Sequence, residues 1–264
     1  MLFTSRVVRI VSFIIFILGT IGILFIPFLN IIFKIILIII YFLIIQIVGF
    51  LNFKKSFIRY ANLSMNCNFI ELEKELEKKY NENRKSITKP LYELCLRSCY
   101  SYLHEFNKAK PFVDRIENKY SKTKDSVKKI KYNYYLFSYY FGIKDHDKII
   151  KLRDDMKRLL QTVNIDYNRN DKQDYLSNYY GMNYRISLCE EKTDKKILQE
   201  AEEYFLKGFN DEILSNKVTN AINLITIYEK LGNEKKAREY ADFVIKNHKD
   251  YYIDEEIFAK YSKQ

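Results

Sequence analysis

Residues 10–51 read IVSFIIFILGTIGILFIPFLNIIFKIILIIIYFLIIQIVGFL, and no acidic residue appears before Glu71. The stretch is two apolar runs back to back, about 10–28 and about 31–51. Each has the ~20 apolar residues that a helix needs to cross a bilayer core. Only Pro27-Phe28-Leu29-Asn30 separates them, too little for a domain. The stretch therefore predicts a transmembrane helical hairpin over residues 1–53. Beyond it, a basic juxtamembrane linker is expected over 54–68 and a helical domain over 69–264.

The positive-inside rule orients the hairpin. Arg6 and Arg9 precede the first run; Lys54, Lys55 and Arg59 follow the second and are candidates for contact with the membrane surface. The turn carries no charge, and Lys34, one helical turn beyond it, can extend its stem along apolar surface and its ammonium into the headgroups. Both termini are expected in the cytoplasm, with the protein in the cell membrane as a two-span chain. Phe53, Phe57 and Tyr60 stand at the exit of the second run, where aromatic side chains favour the interface. A cleaved signal peptide is the competing reading of the first run, but no A-x-A-like site follows and a second apolar run begins at once. Gly19 and Gly22 are placed to let two helices approach closely.

Charge divides along the chain. Six of the 44 Lys and Arg precede Glu71 with no acid among them, so +6 of the net +11 flanks the apolar runs, where it attracts anionic headgroups. The remaining 38 face 33 Asp and Glu. This mild surplus, with signs interspersed, argues against nucleic acid as the partner. The densest basic run, Lys119 to Lys131, is interrupted by Asp125 and reads first as a solvated helix start.

Four cysteines (Cys67, Cys95, Cys99, Cys189) and three scattered histidines (His104, His146, His248) form no metal-ligand spacing. The cysteines read as small hydrophobes in a reducing compartment. No cofactor is expected. Gly-rich phosphate loops, H-E-x-x-H and G-x-S-x-G are absent from the sequence, and catalysis is not expected.

From about Phe69 the pattern is helical throughout. Phe69, Leu72, Leu76 and Tyr80 make one apolar stripe; Ile149, Leu152, Met156, Leu159 and Val163 another; Ile197, Ala201, Tyr204, Phe205, Gly208 and Phe209 a third. No alternating strand pattern appears, so the fold class is all-α. Helix starts are marked by Asp125-Ser126, Asp145, Asn170-Asp171, Thr193-Asp194, Ser215-Asn216 and Asp254, and Gly232-Asn233 reads as a glycine C-cap. Pro90 and Pro111 suit first-turn positions. First helices are expected near 90, 126, 173 and 217, giving about four pairs stacked as an α-solenoid.

Residues 218–250 carry the clearest unit. The run Asn223-Leu224-Ile225-Thr226-Ile227-Tyr228-Glu229-Lys230-Leu231-Gly232-Asn233, followed by Ala237, resembles a tetratricopeptide repeat (TPR), with Leu224, Tyr228, Leu231, Gly232 and Ala237 at the family's preferred positions. Ala241 and Val244 depart from it. Tyr180-Gly181, Tyr184, Ala201 and Phe205 echo the pattern, and Phe141-Gly142 echoes its Leu-Gly turn; armadillo- or HEAT-like pairs also fit the period.

The resemblance implies a concave groove lined by first helices that binds a peptide or protein. Asn133 and Asn223, each nine residues before a glycine (Gly142 or Gly232), are candidate groove residues, with Asn178 and Asn183 on the helix between. An amide there both donates to and accepts from a peptide backbone. Of the cluster Tyr132, Tyr134, Tyr135, Tyr139 and Tyr140, some are expected in the core and others on the groove. The chain thus reads as a membrane-anchored TPR-like protein that recruits a peptide or protein. The Ile/Lys/Asn-rich, AT-rich bacterial character admits a second reading, membrane immunity or sensing of a peptide toxin or pheromone. A third is an enzyme of unrecognised type.

Overall fold

The computed structural model describes residues 6–27, 30–82, 89–162 and 169–262. Among them the chain is all-α, with twelve helices and no strand. It divides into two compact units: Met1–Leu63 with Glu71–Leu96, and Ser64–Ile70 with Arg97–Gln264. Phe28 and Leu29 of the expected turn, and Val163 of one expected stripe, lie outside the described residues.

The first unit holds α1 (Arg6–Leu24), α2 (Ile31–Met65), most of α3 (Phe69–Glu82) and the first half of α4 (Lys89–Tyr102). Among the described residues α2 is the one helix long and apolar enough to cross a membrane, and none of its most apolar window is buried. The described apolar part of α1, Phe13–Leu24, is shorter. Tyr41 ties the two helices together. Its hydroxyl donates to the Ile15 carbonyl at 3.0 Å, its ring stacks on Phe16, and its edge fills the space a Cβ on Gly19 would need. Gly22 makes no such approach. Lys34 Nζ donates to the Leu24 carbonyl at 2.8 Å, satisfying one of the acceptors a helix leaves open at its C-terminal end.

Residues 54–65, expected as a linker, continue α2 without a break. The sequence has no Gly or Pro there to stop the helix, and Tyr60 and Leu63 give it a buried face. Cys67 ends this path in the left-handed region, at φ +58°.

The second unit completes α4 and adds α5 (Phe106–Lys122), α6 (Ser126–Gly142), α7 (His146–Thr162), α8 (Arg169–Cys189), α9 (Lys195–Phe209), α10 (Leu214–Lys230), α11 (Glu234–Asn247) and α12 (Glu255–Tyr261). From α5 onward each helix packs on the next, and α8 also touches α6 and α10. Asp125, Asp194, Asn233 and Asp254 cap their helices by accepting a backbone N–H. Two expectations shift. The start of α10 has Ile213 at its cap rather than a Ser or Asn. Pro111 lies inside α5, past its first turn; its missing N–H leaves the Asn107 carbonyl without an intrahelical donor.

Three turns share one pattern. At Tyr100–His104–Glu105, Tyr140–Lys144–Asp145 and Tyr228–Gly232–Asn233 the middle residue has φ near +60° (61°, 59° and 68°). In each, the N–H of the third residue donates to the Tyr carbonyl, at 2.8, 3.0 and 2.8 Å. This is the hydrogen bond that closes a helix in a left-handed cap. Eight residues after each Tyr comes a lysine whose ammonium lies over that ring: Lys108, Lys148 and Lys236. In the last two, Tyr and Lys also share a carboxylate, Glu117 or Glu202. Burial pushes the Glu117 carboxyl up, but the hydrogen bonds from Tyr140 and Lys148 outweigh it and hold it below its ordinary value.

Candidate functional site

Within the second unit, α4, α6, α8 and α10, with Phe106 at the start of α5, line a half-open cavity of about 500 Å³. Its wall is mixed. Tyr102, Tyr134, Tyr135, Phe106 and Phe141 supply ring faces, Ser98, Ser101, Ser138 and Thr219 supply hydroxyls, and Arg97, Arg185 and Asn223 supply polar heads. A second cavity of about 320 Å³ adjoins it and shares Tyr102, Tyr134, Arg185 and Thr219. Such a wall holds an apolar body by its rings and orients it by a few polar groups.

One side is closed by the segment between α11 and α12. Tyr252 N–H donates to the Tyr102 carbonyl at 2.9 Å and Asp250 N–H to the Cys67 carbonyl at 3.2 Å. Asp250 Oδ2 in turn accepts from Ile70 N–H at 3.1 Å, across 180 residues of sequence. Phe69, Tyr102 and Tyr251 pack ring on ring, with centroids 4.7 to 5.9 Å apart, and Tyr252 stacks on His104 at 4.0 Å. Thr219 Oγ1 lies 3.1 Å from the Tyr251 hydroxyl. The segment is therefore a strap, held by backbone bonds and rings to the turn before α3 and to the end of α4.

The two arginines differ. Arg97 is 3 % exposed; it donates to the Tyr135 carbonyl at 3.2 Å and to Ser98 Oγ at 3.1 Å, and its guanidinium lies over the Tyr135 ring. Arg185 is half-buried on α8 and projects into both cavities. Burial pushes the Tyr102 and Tyr251 phenols up, and the Arg185 charge pulls on both in the opposite direction.

The four asparagines separate. Asn223 lines the larger cavity, its Nδ2 tethered to the Thr219 carbonyl at 2.8 Å. Asn178 lines the smaller one. Asn183 is half-buried and lines neither. Asn133 is fully buried in the α6–α7 interface and donates to the Leu152 carbonyl at 2.8 Å, so it is not presented to a ligand.

The reason is register. The left-handed residue that matches Gly232 is Lys144, not Gly142. Counted from these turns, Asn223 corresponds to Tyr135, and both line the same cavity. Asn133 corresponds to Ala221, and both are fully buried. The tyrosine cluster divides in the same way: Tyr134 and Tyr135 face the cavity, while Tyr139 and Tyr140 are core.

In the first unit, Lys54 and Lys55 are exposed, whereas Arg59 is paired with Glu71 and Glu75, each at 2.6 Å. Of the cysteines, Cys67 and Cys99 are buried, Cys95 is half-buried and Cys189 is exposed. The arginines and the strap tyrosines went unnoticed in the sequence. The recurring Tyr, seven residues, then Lys would have fixed the turn register and so pointed to Tyr135 and Asn223. Comparison of the chain with protein-family models, with curated proteins and with solved structures finds no match.

Proposed function

We propose that this chain is a membrane-anchored, TPR-like protein whose second unit binds a peptide or protein partner and so concentrates it at the membrane. The observation that carries the reading is the cavity between α4, α6, α8 and α10, with ring faces and hydrogen-bonding heads on one wall. The thrice-repeated Tyr–Lys turn supports a repeat architecture, and the close contact of α1 with α2 through Tyr41 supports a two-span hairpin. The apolar surface of α2, with no buried residue in its most apolar window, costs about 25 cal/mol per Å² in water and nothing in lipid. Holding the unit at the bilayer raises the effective concentration of its partner near other membrane proteins.

The strap favours one version of this reading. A groove open at both ends accepts the extended tail of a large protein; a cavity with a strapped side accepts a short segment. Membrane sensing of, or immunity to, a small peptide fits that size.

Site-specific photo-crosslinking in cells tests the reading. A benzophenone side chain at position 223 should capture a peptide or protein that one at exposed position 235 does not. Identical adducts from both positions, or none from 223 alone, would overturn it.

A further inference from the structure

We infer that the cavity takes a carboxylate carried on an apolar or aromatic body, and that Arg185 binds it; the inference rests on the binding role proposed above. Arg185 is drawn partly out of water on α8, yet among the described residues it has no hydrogen-bond or ion-pair partner. Arg97, by contrast, donates from its two terminal nitrogens to the Tyr135 carbonyl and to Ser98 Oγ. A guanidinium withdrawn from water and left uncompensated is costly. An anion that enters the cavity compensates it with two parallel N–H···O bonds in the geometry that suits arginine.

The charge count selects a monoanion. Two cations, Arg97 and Arg185, and one carboxylate, Asp254, line the larger cavity, and this net single positive charge matches a monoanion rather than a dianion such as a phosphate monoester. The rings of Tyr102, Tyr134 and Phe141 select an apolar or aromatic body beside the charged end. Two sources present this chemistry: the free C-terminus of a short peptide, and a free aromatic or aliphatic acid.

The chain has no tryptophan, so an indole in the ligand reports its own binding by fluorescence. The probes are N-acetyl-leucyl-leucyl-tryptophan as the free acid and as the amide, and indole-3-propionate with its amide. They are titrated into the full chain in lipid nanodiscs. At least one acid should bind about tenfold more tightly than its amide, the worth of one charge-assisted bond. Arg185→Gln should erase that ratio while leaving the amide's affinity in place, and Arg185→Lys should restore part of it; circular dichroism checks that both variants fold.

Acid and amide binding equally, or a ratio that survives Arg185→Gln, would overturn the carboxylate site while leaving the binding reading intact. Indole-3-propionate binding where both tripeptides fail would keep the carboxylate site and remove the peptide reading. Binding of none of the four would overturn both.

Discussion

The Asn133 amide N–H donates a hydrogen bond to the Leu152 carbonyl in a place with no exposure to solvent. Removing it costs the net worth of a buried hydrogen bond, roughly 0.5–1.5 kcal/mol. Asn133→Ala should therefore lower the melting temperature by a few degrees, about 2–4 °C per kcal/mol for a unit of this size. Asn223→Ala, facing the cavity, should melt as the parent does; equal losses in the two variants would contradict their different placement. The cysteines make a second test. Burial pushes the Cys67 thiol up to about 11. A raised thiol pKa favours folding below the ordinary value and loses that contribution as pH climbs through the folded one. Stability should thus begin to fall above about pH 9, the ordinary thiol value, and continue to fall toward 11. Near neutral pH a maleimide should label Cys189 in the native protein, and Cys67 and Cys99 only in denaturant; rapid native labelling of Cys67 would show that its site opens.

At the scale of the helix, the left-handed cap is the deciding device, and two of its three copies, at His104 and Lys144, are strained. Lys144 adopts φ +59° on the surface, where a glycine adopts it freely at 232. A side chain in that region costs roughly 1–2 kcal/mol, and glycine gives back about 0.5–1 in unfolded-chain entropy. Lys144→Gly should then stabilise the protein by up to about 1 kcal/mol, read as a raised melting midpoint; a fall would mean that the Lys144 side chain contributes contacts of its own. The same residue explains what the sequence hides. Helix starts are legible because Asp125, Asp194, Asn233 and Asp254 cap by side-chain chemistry that a reader can see. Helix ends at His104 and Lys144 are not, because the backbone there takes a conformation that the residue type does not announce. Gly142 is visible and lies two residues early, which carries Asn133 from the cavity into the core. The end of α2 was missed for the opposite reason: a change from apolar to basic composition after Leu51 marks a change of surroundings and leaves the helix intact.

At the scale of the whole chain, the apolar runs and the asymmetry of charge around them were plain in the sequence, while the cavity was not, since its wall is drawn from four helices and a strap far apart in the chain. The orientation they imply is directly testable. With Lys54, Lys55 and Arg59 after the second run and no charge in the turn, an alkaline-phosphatase fusion after Gln264 should be inactive and a fluorescent cytoplasmic reporter at the same place bright. Strong phosphatase activity would reverse the orientation and with it the reducing surroundings expected for the cysteines. The strap has a consequence for how the second unit unfolds. In a row of helix pairs, each touching only its neighbours, the terminal pairs fray and stability declines toward both ends. Here the bond from Ile70 N–H to Asp250 ties together two segments 180 residues apart, so neither segment opens without breaking a contact to the other. Amide hydrogen exchange at Ile70 and Tyr252 should accordingly be as slow as in the middle of α6, and Asp250→Ala should speed exchange at both segments together, so that two stretches far apart in sequence loosen as one.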